Sequence, residues 1–198
     1  MKWVGRILGA IVVVVALCVA GLWLAGMRPG HGYGSGSVEI NRPAAQVWRY
    51  LTNDDLTMKW VSGLTEMRHI TPGVSGPGEK LRLRETYGNE TVEMEMTMGR
   101  IEAPRLMEFT LEALGDPSNG FTEKAQYVLE EKDGKTKVTL SAQTEYHGLF
   151  IRLMEPLITP QADKKLAEDL ARLKALVESE PTSGSRSGAP ALPNSSGL

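Results

Sequence analysis

Residues 81–98 read LRLRETYGNETVEMEMTM, and this stretch decides the fold. Apolar and polar side chains alternate on both sides of Gly88-Asn89, a pair typical of a two-residue hairpin turn. A turn at that point pairs Tyr87 with Glu90 and so fixes the register of two strands. The resulting pairs are Leu83 with Met94 and Leu81 with Met96 on one face, and Arg84 with Glu93 and Arg82 with Glu95 on the other. The sequence therefore predicts an antiparallel hairpin with one apolar face and one ion-paired face.

A second alternating stretch turns at Asp133-Gly134, another pair typical of hairpins. Its register places Glu130 opposite Lys137 on the outer face. The inner pairs are Leu129 with Val138, Tyr127 with Leu140 and Ala125 with Ala142. The residues from Leu106 to Ala113 predict a further strand between the two hairpins, and residues 37–41 predict a short first strand. Together these strands form an antiparallel meander whose apolar face must be covered by another layer.

Helical spacing of apolar residues predicts two short helices after the first strand. The first runs from Ala44 to Leu51 and the second from Asp54 to Trp60. A long C-terminal helix is also predicted, and Thr159-Pro160 suits its first turn. The alternative is an earlier start at Leu149, with a kink at Pro156.

An apolar stripe at 3.6-residue spacing predicts that the long helix covers the sheet. The stripe consists of Leu166, Leu170, Leu173 and Val177, with Ala167 and Leu176 beside them. Asp169 lies off this stripe. The pattern therefore predicts that Asp169→Ala has little effect on stability.

Composition excludes several classes of protein. Hydrophobic residues make up 41% of the 198 residues and charged residues 23%, which is unlike a collagen-like, wholly disordered or polytopic membrane protein. The formal charge is −2, and without the basic residues 1–28 it is more negative, which argues against nucleic-acid binding through a basic face. Cys18 is the single cysteine, so a disulfide framework and a cysteine-based zinc site are excluded within one chain. No metal or cofactor is predicted.

The N-terminal segment is predicted to cross a membrane. Residues 7–26 are 20 consecutive uncharged residues, which as a helix span a bilayer core of roughly 30 Å. Lys2 and Arg6 precede the run, so the amino terminus is predicted to be cytoplasmic and the rest of the chain extracytoplasmic. The alternative is a cleaved signal peptide, because residues 18–20 loosely fit a cleavage site.

Two segments have the composition of spacers. Residues 27–36, MRPGHGYGSG, predict a flexible linker, and residues 179–198 predict a disordered tail. The predicted organisation is therefore an anchor at 1–26, a linker at 27–36, a folded domain at 37–178 and a tail at 179–198.

The predicted order of elements resembles the helix-grip fold. The sequence itself resembles the SRPBCC (START-like) superfamily over residues 37–178, in particular its polyketide cyclase/dehydrase and lipid-transport branch. The matching segments are Val38–Trp48, Lys59–Leu64, Ile101–Leu106, Ala125–Leu129 and Leu170–Lys174. The resemblance implies an α+β fold, in which a curved antiparallel sheet wraps around a long C-terminal helix and two short helices follow the first strand. It also implies an apolar tunnel between the sheet and the long helix, and it transfers no catalytic residue or cofactor.

The strand registers predict which residues face this tunnel. The apolar set is Leu81, Leu83, Met94, Met96, Met98, Phe109, Leu111, Tyr127, Leu140 and Ala142. Polar residues on the same face are Glu85, Glu123, Thr144 and Tyr146. The alternative is an ordinary core, in which the two glutamates reach water at frayed strand ends. His69 and His147 show no partner in the sequence for metal or acyl chemistry.

These patterns favour a membrane-anchored binding protein for a hydrophobic small molecule, such as a lipid, an isoprenoid or an aromatic polyketide. The alternatives are a cyclase/dehydrase-like enzyme that uses cavity polar groups for acid–base chemistry, and a scaffold whose tunnel is filled by side chains. The sequence leaves the oligomeric state open.

Overall fold

The computed structural model describes residues 11–17, 19–21, 23–24, 30–116 and 120–180. The first three of these segments are helical. Within the described residues, no helix is long and apolar enough to cross a membrane. Eight of the 20 residues of the predicted spanning segment 7–26 lie outside them, as does nearly all of the predicted tail. Both stay predictions, and a topology reporter fused after Leu198 tests the first.

Seven strands form one antiparallel sheet in the order β1-β7-β6-β5-β4-β3-β2. The strands are β1 His31–Ile40, β2 Leu64–His69, β3 Lys80–Tyr87, β4 Glu90–Glu102, β5 Leu106–Ala113, β6 Phe121–Lys132 and β7 Lys135–Tyr146. The helices are α1 Ala44–Thr52, α2 Asp54–Trp60 and α3 Leu149–Ser179. The predicted α+β helix-grip class is confirmed: two short helices follow the first strand, and a long helix ends the domain.

Both predicted hairpin registers are confirmed. Tyr87 pairs with Glu90 across the first turn, and all four predicted pairs of the first hairpin follow from it. In the second turn, Asp133 and Gly134 have φ angles of 52° and 72°, the left-handed conformation that a type I′ turn requires. Every pair predicted for that hairpin is also present.

The first strand begins earlier than the sequence predicted. Residues 31–36, assigned to the flexible linker 27–36, pair with β7 along their whole length, so that part of the linker prediction is wrong. Glycines at 32, 34 and 36 alternate along β1: Gly34 and Gly36 let side chains of α3 approach the β1 backbone closely, and Gly32 does the same for Tyr146 of β7. A Cβ atom on Gly36 would lie 3.1 Å from Leu170 Cδ1. The glycine content therefore serves close packing.

The long helix starts at the earlier of the two predicted positions, Leu149, and contains Pro156 and Pro160. Its C-terminal half buries Leu170, Leu173 and Val177 against β1, α1 and the centre of the sheet. A smaller apolar cluster lies near the β2–β4 side of the sheet and contains Leu64, Leu81, Leu83 and Met94. The main core therefore lies under the C-terminal half of α3.

Asp169 lies off the apolar stripe but is buried, with 4% of its surface exposed, which contradicts the reason for expecting Asp169→Ala to have little effect. Its Oδ1 accepts hydrogen bonds from the backbone N–H of Ser62 (3.0 Å) and from Arg172 Nη1 (3.2 Å). Its Oδ2 accepts one from Lys165 Nζ (2.9 Å). The loop after α2 covers this side of α3, so the helix is enclosed on a second face that a single apolar stripe does not reveal.

Candidate functional site

A cavity of about 280 Å³ lies between the sheet and the middle of α3. Strands β3 to β7 form most of its wall. Trp60 and Val61, at the end of α2, also line the cavity, and α3 contributes Ala162 and Leu166. The lining is mainly apolar, with a group of polar side chains on one side.

Eight of the ten predicted apolar residues line this cavity: Leu83, Met94, Met96, Phe109, Leu111, Tyr127, Leu140 and Ala142. Leu81 and Met98 do not. Leu81 is buried in the smaller apolar cluster, and Met98 packs between the two clusters, next to an irregularity in the β4–β5 register. The position of the eight supports a ligand-binding role, which itself stays a prediction.

Aromatic side chains dominate one wall of the cavity. The ring of Tyr127 stacks on that of Phe109 at a centroid distance of 5.8 Å, and Trp60 meets it edge-on at 6.3 Å. The strand registers predicted Phe109 and Tyr127. They did not predict Trp60, because its position depends on how α2 docks on the sheet.

The four predicted polar residues, Glu85, Glu123, Thr144 and Tyr146, all line the cavity. Glu85 is only 9% exposed, so the alternative of frayed, solvated strand ends is wrong for it. Glu123 lies inside β6, opposite Thr144 on β7, and Thr144 Oγ1 donates a hydrogen bond to Glu123 Oε2 at 2.8 Å. Glu123 is half-buried, so it is less shielded from water than Glu85.

Lys165 on α3 brings positive charge to the same wall. Its Nζ lies 3.7 Å from Glu85 Oε1 and 2.9 Å from Asp169 Oδ2. Burial raises the pKa of the Glu123 carboxyl, and the nearby charge of Glu85 adds to the rise, while the Thr144 hydrogen bond and Lys165 oppose it. This end of the cavity therefore holds a carboxyl group whose protonation is sensitive to what binds beside it.

Tyr127 contributes the only phenol at the centre of the aromatic wall. Its side chain is 8% exposed, and burial raises the pKa of its hydroxyl. Within the described residues this hydroxyl makes no hydrogen bond. In the same part of the chain, no group of three His, Cys, Asp or Glu side chains is arranged to hold a metal ion.

His69 and His147 lie outside the cavity lining, but both have partners, which the sequence did not reveal. His69 Nδ1 is 2.6 Å from Glu79 Oε1, and its Nε2 is 2.9 Å from Asp54 Oδ2. His147 Nε2 is 2.9 Å from the Thr122 hydroxyl. His69 thus links the start of α2 to the loop before β3, and both of these contacts join segments of the fold.

We expect His69 to titrate above its usual pKa of 6.5, because the hydrogen bonds to Glu79 and then to Asp54 favour the imidazolium. Its stabilising contribution is then fully present below about pH 6.5 and is lost as the pH rises through the raised pKa. Proton NMR of the imidazole measures the pKa directly. Glu79→Gln should lower the pKa, and more strongly than Asp54→Asn. A pKa at the peptide value in the wild-type protein would contradict the assignment.

Comparison with known proteins supports this description of the fold. No curated protein matches the sequence. A conserved protein from Geobacillus kaustophilus has a similar structure, with a TM-score of 0.62, 15% identity and coverage of 73% of this chain and 94% of that one. Zhui aromatase/cyclase from Streptomyces sp. R1128 superposes with a TM-score of 0.59 and 13% identity over 75% of this chain and 94% of its own. The di-domain ARO/CYC BexL from the BE-7585A biosynthetic pathway superposes with a TM-score of 0.58 and 13% identity, over 91% of this chain and 61% of its own.

At these identities the structural neighbours show the fold alone. The sequence adds the family, because residues 34–178 match the family described as polyketide cyclase/dehydrase and lipid transport. The match covers β1 from its glycine-rich half to the end of α3 and includes every strand that lines the cavity. The chain belongs to the polyketide cyclase/dehydrase and lipid transport family.

Proposed function

We propose that the protein binds a hydrophobic small molecule, such as a lipid, an isoprenoid or an aromatic polyketide, and holds it without chemical change. The observation that carries this proposal is the apolar cavity between the sheet and α3. Its volume of about 280 Å³ lies near the lower end of ligand pockets. A pocket of this size is enough for a small amphiphile or a compact aromatic molecule.

The side chains that line the cavity favour a ligand-binding pocket rather than a core filled by side chains. Met94 and Met96 lie on one strand, and their unbranched thioethers adapt to ligands of irregular shape. The rings of Phe109 and Tyr127 offer a flat surface for stacking. A wall of this kind gains free energy by burying the apolar surface of a ligand.

The second candidate is an enzyme of the cyclase/dehydrase kind. It is favoured by one observation, the raised pKa of Glu123, since partial burial that raises the pKa of a carboxyl group makes that group a better general acid. Against it, the described residues that line the cavity include no histidine or cysteine to act as a second catalytic group. Loss of turnover of a polyketide substrate by roughly 10²- to 10⁴-fold in Glu123→Gln, with folding and affinity intact, would establish the enzyme instead.

Blocking the cavity tests the binding function. We expect native mass spectrometry of the full chain, released from mild detergent, to show a bound small molecule in the wild-type protein. Met96→Trp should abolish this species, because the indole fills space that the cavity lining now leaves open. Thr97→Trp is the matched control, since its side chain lies on the opposite face of the same strand.

A bound species that persists unchanged in Met96→Trp would place the ligand elsewhere. A wild-type chain that neither carries a small molecule nor takes up an added naphthalene probe would contradict the proposed function.

A further inference from the structure

The polar wall of the cavity carries more acidic than basic groups. Its lining includes the carboxyl groups of Glu85, Glu123, Asp163 and Asp169, and Lys165 is the one cation among the described lining residues. The cavity therefore offers a ligand an environment with negative charge in excess.

The single ammonium group is already engaged. Lys165 Nζ donates to Asp169 Oδ2 at 2.9 Å and lies 3.7 Å from Glu85 Oε1. Asp169 is further held by Arg172 and by the backbone of Ser62. A ligand anion entering the cavity would have to compete with two carboxylates for this cation.

Glu123 is in a different position. Its hydrogen bond within the described residues comes from the neutral Thr144 hydroxyl, and no cation lies within ion-pair distance of it there. Its carboxyl group thus keeps acceptor capacity for a further donor. A donor supplied by a ligand would satisfy it, whereas a second carboxylate beside it would meet a like charge that has no ion-pair partner within the described residues.

Tyr127 offers the cavity a hydrogen-bond donor. Its side chain is nine-tenths buried, lines the cavity and leaves its hydroxyl without a hydrogen-bond partner among the described residues. A hydroxyl that faces the cavity without a partner can donate to a ligand, so a ligand oxygen that accepts from it gains binding free energy.

The two groups flank a gap in the wall. Glu123 and Tyr127 lie on the same face of β6, and between them Ala125 pairs with Ala142 of β7. At about 3.3 Å per residue, their Cα atoms are roughly 13 Å apart along the strand. The two methyl side chains leave room above the sheet between a carboxyl acceptor at one end and a phenol donor at the other.

We infer that this cavity selects ligands whose polar group is an uncharged hydroxyl, an alcohol or a phenol, and rejects ligands that carry a carboxylate. The hydroxyl donates to Glu123 or accepts from Tyr127, and the apolar part of the ligand lies against the aromatic wall. The inference rests on the proposed binding function and adds the chemical class of the ligand. Exclusion of anions comes from a repulsive group placed in the site, which is a common way to achieve specificity.

Three probes of similar shape test this selectivity: 2-methylnaphthalene, 2-naphthol and 2-naphthoate, measured by equilibrium dialysis against the full chain at pH 7. We expect 2-naphthol to bind most tightly. We expect 2-naphthoate to bind at least about tenfold more weakly, the effect of losing one hydrogen bond to a charged group.

Variants assign the selectivity to residues. Glu123→Gln should narrow the preference for 2-naphthol over 2-naphthoate by roughly tenfold, because the repulsive charge is removed while the shape is kept. Glu112→Gln changes the net charge equally on the outer face of β5 and should leave the preference unchanged. Tyr127→Phe should weaken the binding of 2-naphthol several-fold and leave the binding of 2-methylnaphthalene unchanged.

The outcomes separate the two proposals. If 2-methylnaphthalene binds but 2-naphthoate binds as tightly as 2-naphthol, the binding function stands and the hydroxyl selectivity is overturned. Equal preference in the wild-type, Glu123→Gln and Glu112→Gln proteins would overturn it as well. If none of the probes binds, the binding function fails and the selectivity fails with it. The comparison of the three probes uses only the wild-type protein. The inference therefore stays testable even if Glu123→Gln does not fold.

Discussion

Leu170→Asp is expected to abolish cooperative folding of the domain. Leu170 is 2% exposed and packs in the main core, against the backbone of β1 at Gly36. The substitution places a carboxylate without a partner between helix and sheet, which costs several kcal/mol. That cost is comparable with the whole free energy of unfolding of an ordinary domain, about 5–15 kcal/mol. Circular dichroism should show no cooperative thermal transition, or one at a much lower temperature.

Ala171→Asp is the matched control for this experiment. Ala171 is the next residue of α3 and is exposed, so the same charge is introduced on the same helix in contact with water. We expect a loss of no more than about 1 kcal/mol, mainly from the lower helix propensity of Asp. Equal melting temperatures for the two variants would mean that α3 does not pack through Leu170.

Asp169→Ala should destabilise the domain by about 2 to 3 kcal/mol, less than for a fully buried ion pair because Lys165 and Arg172 both reach water. The loss has two parts. The Ser62 N–H loses its acceptor, and the Lys165 ammonium loses its nearest carboxylate. Chemical denaturation of the full chain measures the difference in the free energy of unfolding.

Glu168→Ala serves as the control. Glu168 is the preceding residue of the helix and forms an exposed ion pair with Lys164 at 3.8 Å. Exposed ion pairs of this kind on a helix contribute at most a few tenths of a kcal/mol. If Asp169→Ala were as mild as Glu168→Ala, the three hydrogen bonds to Asp169 would be unimportant for stability.

The parts of the fold that follow local rules could be predicted from the sequence. A two-residue turn at Gly88-Asn89 or Asp133-Gly134 sets a register, and a period of two then assigns every side chain of the hairpin to a face. That logic placed Glu123 and Tyr127 on the cavity side correctly. It could not show that Glu85 is buried beside Lys165, because α3 reaches Glu85 only through tertiary packing.

The errors have the same physical origin. Composition alone assigned residues 31–36 to a linker, although glycines at every second position were a signal of a strand against which another backbone packs. The expectation that Asp169→Ala has little effect rests on one apolar stripe, which accounts for contacts on one side of a helix, whereas the loop after α2 adds contacts on a second side. The partners of His69 come from two separate segments, so spacing in the sequence gave no sign of them.

The glycines of β1 also bear on how a ligand reaches the cavity. This half of β1 lies at an edge of the sheet, bonded to one neighbouring strand, and it contributes few apolar side chains to the core. Local opening of such a segment costs less free energy than unfolding of the domain. Because Gly32, Tyr33 and Gly34 line the cavity, separation of this strand end from α3 would uncover the bound molecule while the hairpins stay intact. Hydrogen exchange that is faster at residues 31–36 than at 37–40, and slower when the cavity is occupied, would identify this strand end as the route of uptake and release.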